Sequence, residues 1–237
     1  MNLEGARALI TGAGSGIGYS VARKLVDSGC ATYSFDVQVP SEQRPGISSL
    51  EVDVTNPQQV AWGMAQIPGK LDVLFNNAGV LVRGGLFEIT YDQFHQMVEV
   101  NALGSWLVLK TALEQEKLTS GATVIQMCSI VGGPDDRRIP AAKLRPYSLS
   151  KILVQGLIEA VQTDFPNLQF KAVYPGAVKT PMTMQGFASE QEYDEQALAN
   201  WGHISTADEV AGEIILLLTT NAKRLVWDSN NKCSALE

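Results

Sequence analysis

Cysteine, histidine, net positive charge and long apolar runs are all scarce in this chain, and each scarcity removes a class of function. Three cysteines occur, Cys30, Cys128 and Cys233, odd in number and widely spaced. That pattern suits a reduced chain and provides neither a disulfide framework nor a zinc site. The two histidines, His95 and His203, have no partner pattern, so no metal is expected. A formal charge of −7 offers no basic field for nucleic acid or an anionic membrane. Any anion must therefore be held locally. No window reaches the roughly 18 apolar residues of a membrane span, and "MNLEGARALITG" runs straight into a strand pattern without a secretory leader. The expectation is a cytoplasmic protein that meets neither nucleic acid nor membrane.

With 237 residues, 45% of them apolar, the chain can bury a sizeable core as a single domain over residues 1–237. Short apolar runs recur at 7–11, 31–35, 48–52, 71–76, 123–129, 170–174 and 224–227. They alternate with helical patterns, which predicts an α/β fold with a mostly parallel seven-stranded sheet covered on both faces. Thr55-x-x-Gln58, Thr90-x-x-Gln93 and Thr206-x-x-Glu209 each fit a capping box at a helix start. Between Asp36 and the next strand, "VQVPSEQRPGIS" is too short and too rich in proline and glycine for a full helix. Trp62 and Trp106 fall in helical patterns and read as packing residues, "EIILLL" (213–218) reads as a buried helix, and 228–237 reads as an irregular tail.

Between the first strand and the first helix lies "TGAGSGIG", with Gly12, Gly14, Gly16 and Gly18. Glycine permits positive φ and close approach of backbone to a pyrophosphate, whose charge meets the N–H groups and positive dipole of the helix start. Asp36 ends the second strand, where a carboxylate accepts both hydroxyls of an adenosine ribose and repels a 2′-phosphate. That favours NAD over NADP. Further on, Tyr147 and Lys151 stand at i and i+4, on one helix face. A free phenol titrates near pH ~10. A neighbouring ammonium, with the positive charge of an oxidised nicotinamide, would bring it toward working pH as a proton acceptor. Tyr-x-x-x-Lys alone is common by chance; Ser129 at the end of a strand and Asn101 in a long helix give it company.

Together these elements resemble the short-chain dehydrogenase/reductase (SDR) family: "TGAGSGIG" (11–18), "DV" (53–54), "NNAG" (76–79), Asn101 in "VEVNALGSW", Ser129, "YSLSK" (147–151) and "YPGAVKTPM" (174–182). They occur in the family's order from residue 3 to about 228. The resemblance implies a doubly wound Rossmann fold. It also implies Tyr147 as proton donor or acceptor, Lys151 on the nicotinamide ribose, Ser129 on the substrate oxygen, and Asn101 holding a water that links Lys151 to solvent. For the cofactor it implies Gly12, Ser15, Gly16, Ile17 and Gly18 at the diphosphate, and Asp53 and Val54 at the adenine. Asn77, Ala78 and Gly79 would line the adenosine side, and Pro175, Gly176, Val178 and Thr180 the nicotinamide side. Homodimers or homotetramers built on the helices carrying Asn101 and Tyr147 are usual in such enzymes. The expected activity is interconversion of a small secondary alcohol and a ketone with NAD(H). A non-catalytic NAD-sensing protein, or an epimerase or dehydratase with tightly held NAD, would use the same fold.

One stretch departs from the family. Seventeen residues separate Ser129 from Tyr147, a local insertion that carries Asp135, Asp136, Arg137, Arg138, Lys143 and Arg145. It reads either as a solvated lid or subunit contact, or as a source of an arginine for an anionic substrate. After Thr180, a mobile flap is expected, in which Met182, Met184, Phe187 and Trp201 either give an apolar inner side suited to an apolar ligand or serve core or interface packing.

Overall fold

The computed structural model describes residues 1–39, 44–132, 142–228 and 233–237. In chain order the elements are β1 (Arg7–Thr11), α1 (Gly16–Asp27), β2 (Ala31–Asp36), β3 (Ile47–Glu51), α2 (Pro57–Gln66), β4 (Leu71–Asn76) and α3 (Tyr91–Val98). A π-helical turn, Glu99–Gly104, leads into α4 (Ser105–Glu114), then β5 (Leu118–Met127), α5 (Arg145–Asp164) and β6 (Gln169–Tyr174). The chain closes with β7 (Val178–Lys179), α6 (Pro181–Met184), α7 (Glu190–Trp201), β8 (Ser205–Thr206), α8 (Ala207–Thr219), β9 (Arg224–Asp228) and β10 (Cys233–Leu236).

The main sheet runs β10-β9-β6-β5-β4-β1-β2-β3, parallel except for β10. Its inner strands are buried on both faces, as the apolar runs predict. In β1, Ala8 and Ile10 join Leu25 and Ile214 of the α1 and α8 layer, while Leu9 between them joins Met64 and Val108 of the α2 and α4 layer. Alternate residues of one strand thus anchor opposite helical layers. Within α8, Ile214, Leu217 and Leu218 are buried, as the apolar run suggests. Among the described residues between β2 and β3 there is no helix.

Three expectations change. The sheet has eight strands rather than seven, because residues 233–236, expected to be irregular, pair antiparallel with β9, Ala235 opposite Val226. A four-residue strand carries too little pattern to be read locally; the free edge of β9 is what recruits it. The cap of α2 is Asn56, not Thr55: its side chain accepts from the N–H groups of Gln58 and Gln59 at 3.0 and 3.1 Å. Pro57 favours the first helical position, which moves the cap to the residue before it, and Thr55 bonds Asp53 instead. The boxes at Thr90 and Thr206 form as read. Finally, Trp62 and Trp106 are 52% and 44% exposed, so neither packs in the core. No helix among the described residues is long and apolar enough to cross a membrane.

Candidate active site

β1 lies between β2 and β4: the chain runs outward from β1 through β2 and β3 and then crosses back to β4 on the other side of β1, and this reversal opens a crevice at the carboxyl ends of these strands. There a cavity of about 530 Å³ reaches from Asp36 past the glycine loop to Ser129, Tyr147 and Trp201. At the Asp36 end Gly12 has φ +68, and a Cβ there would sit 2.7 Å from the Ala78 Cα. Gly18 is tighter still, since a Cβ would lie 2.2 Å from the Gly12 carbonyl oxygen. Asn77 clamps this turn to the end of β4, its side-chain amide donating to the carbonyls of Thr11 and Gly12, each at 3.0 Å. The Thr11 hydroxyl in turn accepts from the N–H groups of Asn77 and Ala78. Thr11 is a brace that the motif reading passed over. Ser15 precedes α1 without capping it by its side chain, which leaves the helix's first N–H groups facing the cleft.

Asp36 is held from two sides. One carboxylate oxygen accepts from Gly14 N at 2.7 Å and the other from Gln38 N at 2.9 Å. Gly12, Ser15, Gly16, Ile17, Asp36, Asn77, Ala78, Gly79, Pro175, Gly176, Val178 and Thr180 all line the cavity. Gly18, Asp53, Val54 and Asn101 do not. Gly18 shapes the loop from behind. Asp53 is engaged with the Thr55 N–H and hydroxyl at 2.9 and 2.8 Å, and Val54 is buried.

The opposite end holds Ser129, Tyr147 and Lys151. Ser129 follows β5, and α5 presents Tyr147 and Lys151 one turn apart, with the Lys151 Nζ 5.6 Å from the Tyr147 ring centre. Lys151 donates to the Met127 carbonyl at 2.9 Å. Burial, then the neighbouring Cys128, pushes the Tyr147 phenol above its ordinary range, while a hydrogen bond with Ser129 pulls it down. Burial also pushes the Lys151 ammonium down, to about 8. Burial thus disfavours the charged form of both groups, the phenolate and the ammonium.

Asn101 sits in the π-helical turn, a distortion that recurs at functional sites, and is 1% exposed. Its side-chain oxygen accepts from Val80 N at 2.7 Å, while its amide donates to Val80 O and to the Ser150 hydroxyl. It ties the loop after β4 to α5 and so holds Tyr147 and Lys151 in place.

The segment after Thr180 is a braced cover. Thr180 and Thr183 cap α6 reciprocally. Lys179 pairs with Asp194 at 2.9 Å and Glu190 at 3.1 Å, and Tyr193 donates to the Val178 carbonyl. Met182, Phe187 and Trp201 line the cavity as expected, but Met184 does not. Arg83, Leu144 and Tyr193 also line it; no motif marked them, because the loop after β4, the start of α5 and α7 come together from distant parts of the chain. Asp135, Asp136, Arg137 and Arg138 lie outside the described residues; Lys143 and Arg145 are exposed. Among the described residues no cluster of His, Cys, Asp and Glu is placed to hold a metal ion.

The family model for short chain dehydrogenases matches residues 6–191. The chain belongs to that family. It is 32% identical over 196 residues to trans-4-hydroxycyclohexanecarboxylate dehydrogenase of Sinomonas cyclohexanicum, covering 74% of this chain and 73% of that one. To 2,3-dihydro-2,3-dihydroxybenzoate dehydrogenase of Escherichia coli it is 25% identical over 240 residues, covering 95% and 94%. In structure it is similar to a blue fluorescent protein from a metagenomic library solved with NADPH, at a TM-score of 0.76 and 23% identity over 92% of both chains. As a short-chain dehydrogenase, the protein is an oxidoreductase of a family that transfers hydride with a nicotinamide cofactor. Its fold alone does not select between NAD and NADP.

Proposed function

We propose that this protein is an NAD(H)-dependent oxidoreductase interconverting a secondary alcohol and a ketone. The observation that carries this reading is the convergence in one cleft of Ser129, Tyr147 and Lys151 at one end and the glycine loop with Asp36 at the other. The cradle fits a dinucleotide: glycine at 12 and 18 lets the loop close against Ala78 and Asn77, where a Cβ would clash, and the start of α1 offers N–H groups for a diphosphate. Gly12, Ser15, Gly16, Ile17 and Gly18 would hold that diphosphate, and Asp36 the adenosine ribose, against a 2′-phosphate. Asp53 and Val54 would stand toward the adenine, with Asn77, Ala78 and Gly79 along the adenosine. Pro175, Gly176, Val178 and Thr180 would receive the nicotinamide amide. When bound, the cofactor supplies hydride transfer and, oxidised, a positive ring near the phenol.

Around it the chain's own groups move the proton. Ser129 donates to the substrate oxygen, and Tyr147 takes the hydroxyl proton in oxidation and returns it in reduction. Lys151 contacts the ribose hydroxyls from the position fixed by Met127 O. Asn101 acts at one remove, by holding Val80 and Ser150. Two relatives named for hydroxylated carboxylates make a small hydroxy acid the first substrate to try.

Leu103 in the π-helical turn, Trp106 on α4 and Ile152 and Leu153 on α5 are exposed apolar residues, which supports a homodimer or homotetramer built on these helices; sedimentation of the intact chain checks it. Tyr147→Phe tests the chemistry. Turnover of NAD with a panel of hydroxy acids and alcohols should disappear while the Kd for NADH changes little, and substantial residual turnover would refute the assigned role. NADH binding by the wild type without turnover of any compound would favour a nucleotide-sensing protein instead.

A further inference from the structure

Of the charged residues lining the cleft, Asp36 stands at the nucleotide end and Lys151 is bonded to the Met127 carbonyl, which leaves Arg83. Arg83 sits in the loop after β4 and is half-buried. Its Nε donates to the Gln185 carbonyl at 3.2 Å and one terminal nitrogen to the Thr183 carbonyl at 2.8 Å. The guanidinium carbon lies 4.6 Å over the Phe187 ring. Around it the cleft is apolar, lined by Leu144, Met182, Phe187 and Trp201.

These contacts orient the guanidinium without neutralising it. Both acceptors are neutral carbonyls, and among the described residues no carboxylate pairs with it. Burial holds its pKa below the ordinary guanidinium value, with Tyr193 opposing weakly. A guanidinium carries five N–H donors in a planar fork, and two bonds to carbonyls leave the rest for another acceptor. A partly desolvated cation without a counter-charge carries a cost, and an anion binding there recovers part of it. Holding the segment after Thr180 by two carbonyls needs hydrogen-bond donors but no charge, so a latch alone does not account for an arginine.

We propose that Arg83 forms a carboxylate-binding subsite at the substrate end of the cleft, selecting hydroxy or keto acids over neutral alcohols and ketones. This rests on the oxidoreductase reading and names the substrate class for it. The fork matches a carboxylate geometrically, and its bonds to the Thr183 and Gln185 carbonyls hold it in place.

The test is calorimetric titration of the full chain, with NADH present, using cyclohexanecarboxylate and its neutral counterpart cyclohexanecarboxamide. The carboxylate should bind at least about tenfold more tightly. Arg83→Gln should bring the ratio to near one with the Kd for NADH unchanged, and Arg83→Lys should retain part of the preference. Phe187→Leu, which removes the ring but keeps the cation, should preserve the preference. An absent preference in the wild type, a preference that survives Arg83→Gln, or equal weakening of both probes by that variant would overturn the proposal. Should Arg83→Gln fail to fold, the wild-type ratio and Arg83→Lys decide. NADH binding without carboxylate preference sinks the subsite and spares the oxidoreductase reading. Carboxylate preference without NADH binding does the reverse.

Discussion

Replacing Lys151 with methionine should stabilise the protein while destroying its proposed function. Lys151 is 3% exposed, and burial moves its ammonium from 10.5 to about 8. Such a displacement costs the folded state about 3 kcal/mol at pH 7 relative to an uncharged side chain of similar length. Losing the bond from Nζ to the Met127 carbonyl returns about 1 kcal/mol. The net gain of about 2 kcal/mol corresponds to a Tm higher by roughly 4 to 8 °C for a chain of this size. Because the folded-state value lies below the unfolded one, the unfolded chain holds the proton more tightly between about 8 and 10.5. The penalty is therefore complete below pH 8 and vanishes as pH rises toward the unfolded value, so the variant's advantage should shrink over that window. Thermal and urea unfolding without added nucleotide, at pH 7 and near pH ~10, measure both effects. A Lys151→Met protein that melts below the wild type at pH 7, or an advantage that does not shrink at high pH, would refute the reasoning. The sacrifice of stability at a working group is the expected trade-off.

Two further outcomes concern the nucleotide end. Asp36, fixed by Gly14 N and Gln38 N, should give NADH a much lower Kd than NADPH, and Asp36→Ser should narrow that ratio about tenfold or more. Fluorescence titration reads both, and equal wild-type affinities sink the assignment. Gly18→Ala would place a Cβ 2.2 Å from the Gly12 oxygen and 2.5 Å from the Asn77 side chain. It should cost roughly 1 to 3 kcal/mol of stability as overpacking and weaken NADH binding; an unchanged Tm together with an unchanged Kd contradicts the close-packed loop.

What the sequence determined by itself is what rests on short-range rules. Alternation of apolar runs with helical patterns located β1, β2 and β4 within a residue, because burial on both faces leaves a local imprint. Glycines between a strand and a helix, a carboxylate at the end of the next strand, and a phenol one turn from an ammonium are local signals for the same reason. So are the caps at Thr90 and Thr206. The tertiary structure decided everything that depends on residues far apart in the chain. It added β10 to the free edge of β9, and it left Trp62 and Trp106 half exposed on the surface of this chain, since periodicity marks a helix face but not what covers it. It brought Arg83 against Thr183, Gln185 and Phe187, about a hundred residues on. It also set the titration of Tyr147 and Lys151: spacing places the two groups together, but only their shared burial pushes the phenol up and the ammonium down.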